Sequence, residues 1–129
     1  MSAAADIPMS AVAKLDGRRT ALVIVDLQND FLHASGAYAR GGDTNPMSAP
    51  LPGLAAQAAR VLKSRGGLVT ASQFTLWPDA QGEPMISPHL KALRPYLKKG
   101  DFAPGSWGQA NVDSVAGLVD VAVCKVAYS

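Results

Sequence analysis

Ala21-Leu22-Val23-Ile24-Val25-Asp26 is the stretch on which the reading of this chain turns. Five apolar residues, three of them β-branched, run without a polar break and end on a carboxylate. Such a run fits a strand buried on both faces of a parallel sheet, which needs no polar alternation. As the most hydrophobic strand, it is expected at the centre of that sheet. The polar turn Gln28-Asn29-Asp30 follows it, and then a loop to about Pro50 carrying Gly36, Gly41, Gly42 and Pro46.

Residues 51–65 read as a helix, with Pro52 in the first turn and Gly66-Gly67 as the stop. Leu54, Ala58, Val61 and Leu62 share one stripe, and Gln57, Arg60, Lys63 and Ser64 occupy the other face. Residues 68–74 form a second strand, so the segment is a βαβ unit with a right-handed crossover. Residues 75–105 are rich in proline and glycine and read as a long lid or binding loop, with a short helix at 89–97. Ser106 and Gln109 have the spacing of a capping box. Val112, Val115 and Ala116 then recur at helical spacing, Gly117 ends the helix, and residues 119–124 make a third strand. Three strands and two helices make a thin architecture, and nothing in the sequence pairs with the second edge of the first strand. The expectation is a sheet that is incomplete in this chain, or one that completes itself with another chain.

Composition narrows the class. The 129 residues are 48% hydrophobic and 17% charged, with a net charge of +2 and a single cysteine. The apolar fraction supports a packed core and opposes general disorder. Basic residues are scattered, with only Arg18-Arg19 and Lys98-Lys99 adjacent, so no nucleic-acid-binding face is expected. One cysteine allows no intrachain disulfide and fits a reducing, cytoplasmic setting. No window is long and apolar enough for a membrane span. Residues 1–17 read as a loose leader, and 18–129 as the domain. There is no G-x-G-x-x-G, no phosphate-binding loop of the Walker type and no G-x-S-x-G. Dinucleotide, nucleotide-triphosphate and serine-hydrolase chemistries are therefore not expected.

Several residues could carry chemistry. Asp26 ends the first strand at the rim where open α/β sheets bind ligands, and a carboxylate there can serve as a general base. Lys125 follows the third strand and should reach the same rim, where an opposite charge would keep Asp26 ionised. Alternation sends Cys124 to the other side, where a buried, inert role is expected. His33 and His89 belong to no metal-ligand spacing, so no metal is expected. Phe31, Phe74, Trp77 and Trp107 lie in or beside rim loops, where they could pack on a ligand or cap the core.

Taken together, two segments resemble a known family. Residues 21–31, ALVIVDLQNDF, are similar to the opening motif of the isochorismatase-like cysteine hydrolase superfamily, and Lys125-Val-Ala-Tyr-Ser129 is similar to its K-x-x-Y-S segment. The likeness covers nearly the whole chain after Arg18. It implies a three-layer Rossmann-like parallel sheet with helices on both faces, commonly assembled from identical chains. It also implies a Cys-Asp-Lys triad with Asp26 as general base and Lys125 as its lysine. Phe31 and Trp77 would bind a small amide or ureido substrate whose C–N bond is hydrolysed without a cofactor, and Asn29 and Asp30 would shape the turn behind it.

Two departures stand out. The family's nucleophilic cysteine lies downstream of its lysine, beyond Ser129, and Cys124 cannot take that role. The D-x-H-type metal motif after the second strand is replaced by Ser72-Gln-Phe-Thr-Leu-Trp77. The chain is thus expected to be an N-terminal portion supplying Asp26 and Lys125 only, and inactive alone. The alternative is a non-catalytic, truncated partner module that self-associates through its exposed sheet edge.

Overall fold

The computed structural model describes residues 8–128. The chain is a mixed α/β domain built on a three-stranded parallel sheet. Its strands are β1 (Ala21–Val25), β2 (Leu68–Phe74) and β3 (Val121–Lys125), in the order β1-β2-β3. The crossover from β1 to β2 is the helix α4 (Leu51–Ser64), preceded by the short helices α1 (Met9–Ala13), α2 (Asn29–Leu32) and α3 (Ala37–Arg40). Helices α5 (Pro88–Leu93) and α6 (Asp113–Ala116) lie between β2 and β3.

The hydrophobic stripe places α4 where expected, and its end follows from glycine chemistry. Gly66 takes a left-handed backbone at φ +81°, which lets Gly67 N–H donate to Leu62 C=O at 3.0 Å and close the last turn. On the covered face, Ile24, Val69 and Ala71 of the sheet pack against Ala56 and Ala59 of α4 and Val115 of α6. Asp120 ties the entry of β3 to this layer. Its Oδ2 accepts from Val69 N–H at 2.8 Å, and its carboxylate pairs with Lys63 of α4, which holds it below the ordinary carboxylate value.

Two expectations about β1 need correction. β1 is not buried on both faces, nor is it central. β2 lies in the middle, and along β1 only Ile24 is buried while Val23 and Val25 are 60% and 55% exposed. Helix α4 covers one face; on the other, Phe74 at the carboxyl end of β2 packs against Tyr38 of α3 and Leu90 of α5, and the cover stops short of the valines. The register aligns Val23 with Thr70 and Val121, and Val25 with Ser72 and Val123, so these residues share the opposite face. There Val121 and Val123 are also exposed, and no helix of the described residues lies over the valines. Of the segment read as a leader, residues 1–7 lie outside the described part, and α1 packs on α4.

The outer edge of β1 is open as well. Thr20 C=O accepts from Leu68 N–H and Asp26 N–H donates to Ser72 C=O, so even-numbered residues turn their backbone toward β2. The N–H and C=O groups of Ala21, Val23 and Val25 consequently point away from the sheet, toward no strand of the described residues.

Candidate active site

The site grows from the carboxyl end of β1, where hydropathy stops and polar residues go inside. Gln28 is fully buried. Its Nε2 donates to Phe74 C=O and Gln109 C=O, both at 2.8 Å, and its Oε1 accepts from Phe74 N–H at 2.7 Å. Asn29 Nδ2 donates to Trp107 C=O at 2.8 Å. Asp30 Oδ1 accepts from Ala37 N–H at 3.0 Å and Oδ2 from Phe102 N–H at 2.8 Å. Gly108 comes so close to this carboxylate that a Cβ would sit 1.9 Å from Oδ2. These side chains are backbone surrogates: they satisfy amides and carbonyls at the end of β2, at the start of α3 and in the loop before α6.

This clamp fixes the turn that presents Asp26. Asp26 holds φ at +60°, a conformation costly for a residue with a Cβ and frequent at functional sites. Lys125 Nζ donates to Asp26 Oδ2 at 3.1 Å and to Tyr128 C=O at 2.8 Å. Asp26 Oδ1 is buried with no partner among the described residues. The pair thus has one engaged oxygen and one orphaned acceptor, in side chains about a quarter exposed (24% for Asp26, 22% for Lys125). Lys125 is the last residue of β3 rather than the first beyond it, and it shares the side of the sheet that carries Val123.

Behind the pair stands an aromatic cluster. Phe31 makes an edge-on contact with Tyr38 at 4.7 Å between ring centres and a tilted contact with Phe102 at 4.6 Å. The Tyr38 hydroxyl hydrogen-bonds that of Tyr128. Burial, reinforced by that bond, pushes the Tyr38 phenol well above its ordinary value. Tyr128 therefore does two things: its ring closes the cluster against Phe74, and its carbonyl holds the lysine.

A cleft of about 370 Å³ opens beside the pair. Val25, Asp26 and Phe31 line one wall, and Asp43, Ser48 and Leu51 line the other. A second cavity of about 320 Å³ lies past Tyr128, among Leu76, Met85, His89 and Leu93. Asp26, Lys125 and Phe31 are brought together here. Trp77 is not: it is 43% exposed and lines neither cavity. Among the described residues, no group of histidines, cysteines and acids could hold a metal ion.

Cys124 corrects another expectation, since it is exposed rather than buried. Ala122 and Cys124 belong to an edge strand that α4 does not reach, so nothing seals them from solvent. The thiol stands opposite Gln73 in register, on the other face of β3 from Lys125, with Gln109 Nε2 at 3.5 Å from Sγ. The capping-box reading is half right. Ser106 Oγ accepts from Gln109 N–H at 3.2 Å, yet the Gln109 side chain turns to Gly105 N–H and Thr75 Oγ1.

Reading the sequence missed Gln28, Asp43, Arg94 and Tyr38. Gln28 had a usable signal, a long polar side chain directly after a buried strand, but the others depend on contacts between distant loops. No helix of the described residues is long and apolar enough to cross a membrane. No family model matches this chain, and no curated protein is significantly similar to it.

Proposed function

We propose that this chain is part of an isochorismatase-like cysteine hydrolase, with a Rossmann-like sheet, that cleaves the C–N bond of a small amide or ureido substrate. Asp26 and Lys125 are two members of its Cys-Asp-Lys triad. The observation that carries the reading is the 3.1 Å contact between Lys125 Nζ and Asp26 Oδ2, which joins two motifs 99 positions apart at the carboxyl rim of the sheet. Asp26's orphaned oxygen and strained backbone support a functional carboxylate over a structural ion pair.

In this reading, Asp26 takes the proton of a thiol, and the thiolate attacks the substrate carbonyl carbon. Lys125 holds the Asp26 carboxylate in place through Oδ2 and offsets the negative charge that develops during attack. The C–N bond breaks as Asp26 returns the proton to the leaving nitrogen, and a thioester remains. Water, deprotonated by Asp26, attacks the thioester, releasing the acid and restoring the thiol. Phe31 packs against the substrate. The thiol is not Cys124, which faces away from the pair, so it comes from outside the described residues.

The test is ammonia release from a panel of primary amides and ureido compounds by the gene's product isolated from its own cells. Asp26→Asn and Lys125→Ala should each lower kcat about 10²- to 10⁴-fold, the range of a lost proton-transfer group. Cys124→Ser should leave turnover unchanged, and the 129-residue chain by itself should have none. Turnover that survives Asp26→Ala overturns the reading.

One observation favours a second reading, a non-catalytic partner module that self-associates through its sheet edge: the outward-facing backbone of β1 meets no strand. Light scattering coupled to size exclusion distinguishes them. A defined, folded oligomer of this chain supports the module, and aggregation or disorder supports the incomplete enzyme.

A further inference from the structure

The cleft beside Asp26 is charged in one sense only. Among the described residues that line it, Asp26 and Asp43 are the charged ones, and both are acidic. Each carboxylate has a cation, but both cations stand outside the lining. Lys125 approaches Asp26 Oδ2 from β3. Arg94 Nε lies 2.9 Å from Asp43 Oδ2, paired by proximity rather than by an aligned hydrogen bond, with its guanidinium carbon 5.5 Å from the centre of the Tyr38 ring. Tyr96 also donates to Asp43 Oδ2, at 2.9 Å. The Tyr38 hydroxyl, the other strong donor on the wall, is committed to Tyr128. What the cleft offers a ligand is therefore carboxylate oxygen, hydroxyl and amide groups from Ser48, Thr44 and Asn45, and the apolar surface of Phe31 and Leu51.

We infer that this cleft admits uncharged or cationic N–H donors and rejects carboxylates, with Asp43 as the specificity-determining side chain. Rejection of an anion needs only like charge facing it, and no cation lines the wall itself. An amide, ureido or amidine group presents N–H donors that carboxylates accept directly. The inference rests on the hydrolase reading only in taking this cleft as the substrate's place.

Binding of three matched probes tests it without requiring turnover. Benzamide, benzamidine and benzoate share one ring and differ in charge and donors. In nuclear magnetic resonance titrations of the chain, benzamide and benzamidine should bind at least about tenfold more tightly than benzoate. Asp43→Asn, which keeps the shape and the acceptor for Tyr96, should bring benzoate to within about threefold of benzamide, since Arg94 is then uncompensated. Arg94→Gln should widen the gap instead. Misfolding would weaken all three probes in both variants and cannot move the ratio in opposite directions. At about 1 M salt, where the screening length falls to about 3 Å, the wild-type gap should shrink. Equal binding of benzoate, a ratio that moves the same way in both variants, or no binding of benzamide and benzamidine each overturns the inference. A ratio that behaves as stated without ammonia release by the gene's product sinks the hydrolase reading alone, and ammonia release by that product with a flat ratio sinks the selectivity alone.

Discussion

Two regions built on the same strand invert the usual rule of burial. Where β1 ends, Gln28, Asn29 and Asp30 are polar and buried, at 0%, 3% and 6% exposure. Along β1 itself, Val23 and Val25 are apolar and exposed, with no helix of the described residues over them. The difference lies in partners, not in hydropathy. The polar turn meets and satisfies backbone groups at the end of β2, at the start of α3 and in the connection between α5 and α6, so burying it carries little desolvation penalty. The valines meet nothing within the described residues. Hydropathy states what a residue can gain from burial, and the rest of the fold decides whether it is buried.

The sharpest way to break this comparison is to remove the charged member of the buried polar turn. Asp30→Ala should destabilise the chain by about 3–5 kcal/mol, because it leaves the Ala37 and Phe102 amides buried without acceptors. Asp30→Asn retains one acceptor oxygen and should cost roughly half as much. Urea unfolding followed by circular dichroism measures both. A loss under about 1 kcal/mol for Asp30→Ala would mean that the clamp does not hold the rim.

The opposite region should barely respond. Val25→Thr and Val123→Thr on the open face should each change stability by no more than about 0.5 kcal/mol in dilute solution. By contrast, Leu62→Ala under α4 should cost about 2–4 kcal/mol, because Leu62 is only 2% exposed. A penalty above about 1 kcal/mol at either valine would show that the face is covered in solution. Repeating the measurement over a range of protein concentrations separates cover by a second copy from cover within one chain.

The same contrast explains how far the sequence could be read. β2, α4 and α6 follow from periodicity and glycine stops, since their main neighbours are local in the βαβ unit. Asp26 and Lys125 were legible as a pair because both end parallel strands, and parallel strands end on the same rim. The error at β1 had a definite cause. A run such as Leu-Val-Ile-Val reports a preference for two covered faces, and the cover must come from other segments. The exposure of Cys124 was missed for the same reason, since β3 also lacks cover. Asp43, Arg94 and Tyr96 meet across two irregular loops, where no periodicity predicts contacts.

A smaller effect concerns the tyrosines. Burial raises the phenols of Tyr38 and Tyr96 above the ordinary value of 10.0, assisted by the Tyr128 hydroxyl and the Asp43 carboxylate respectively. A raised value in the folded state means that this stability is fully present below pH 10. It is lost as pH rises further, because the unfolded chain then releases protons that the folded chain retains. Unfolding midpoints should fall above about pH 10, and Tyr38→Phe should make the fall shallower. A slope identical in wild type and Tyr38→Phe would show that Tyr38 is not shielded.

The smallest stability effect is expected where the functional stake is largest. Lys125 and Asp26 are each about a quarter exposed (22% and 24%), so their ion pair is partly solvated and screened. Lys125→Ala should therefore lower stability by only about 0.2–1 kcal/mol. The loss should shrink further at high salt. The same substitution removes the donor to Tyr128 C=O and the only cation beside Asp26 among the described residues, so it should lower kcat of the gene's product by the same about 10²- to 10⁴-fold. A residue that stabilises the fold strongly and matters little for turnover would be a structural strut. Small loss of stability combined with a large loss of turnover is the signature of a group kept for chemistry. If Lys125→Ala instead unfolds the chain at moderate urea while Asp26→Asn does not, the lysine is holding the Val126–Tyr128 strap in place, and the pair is architectural.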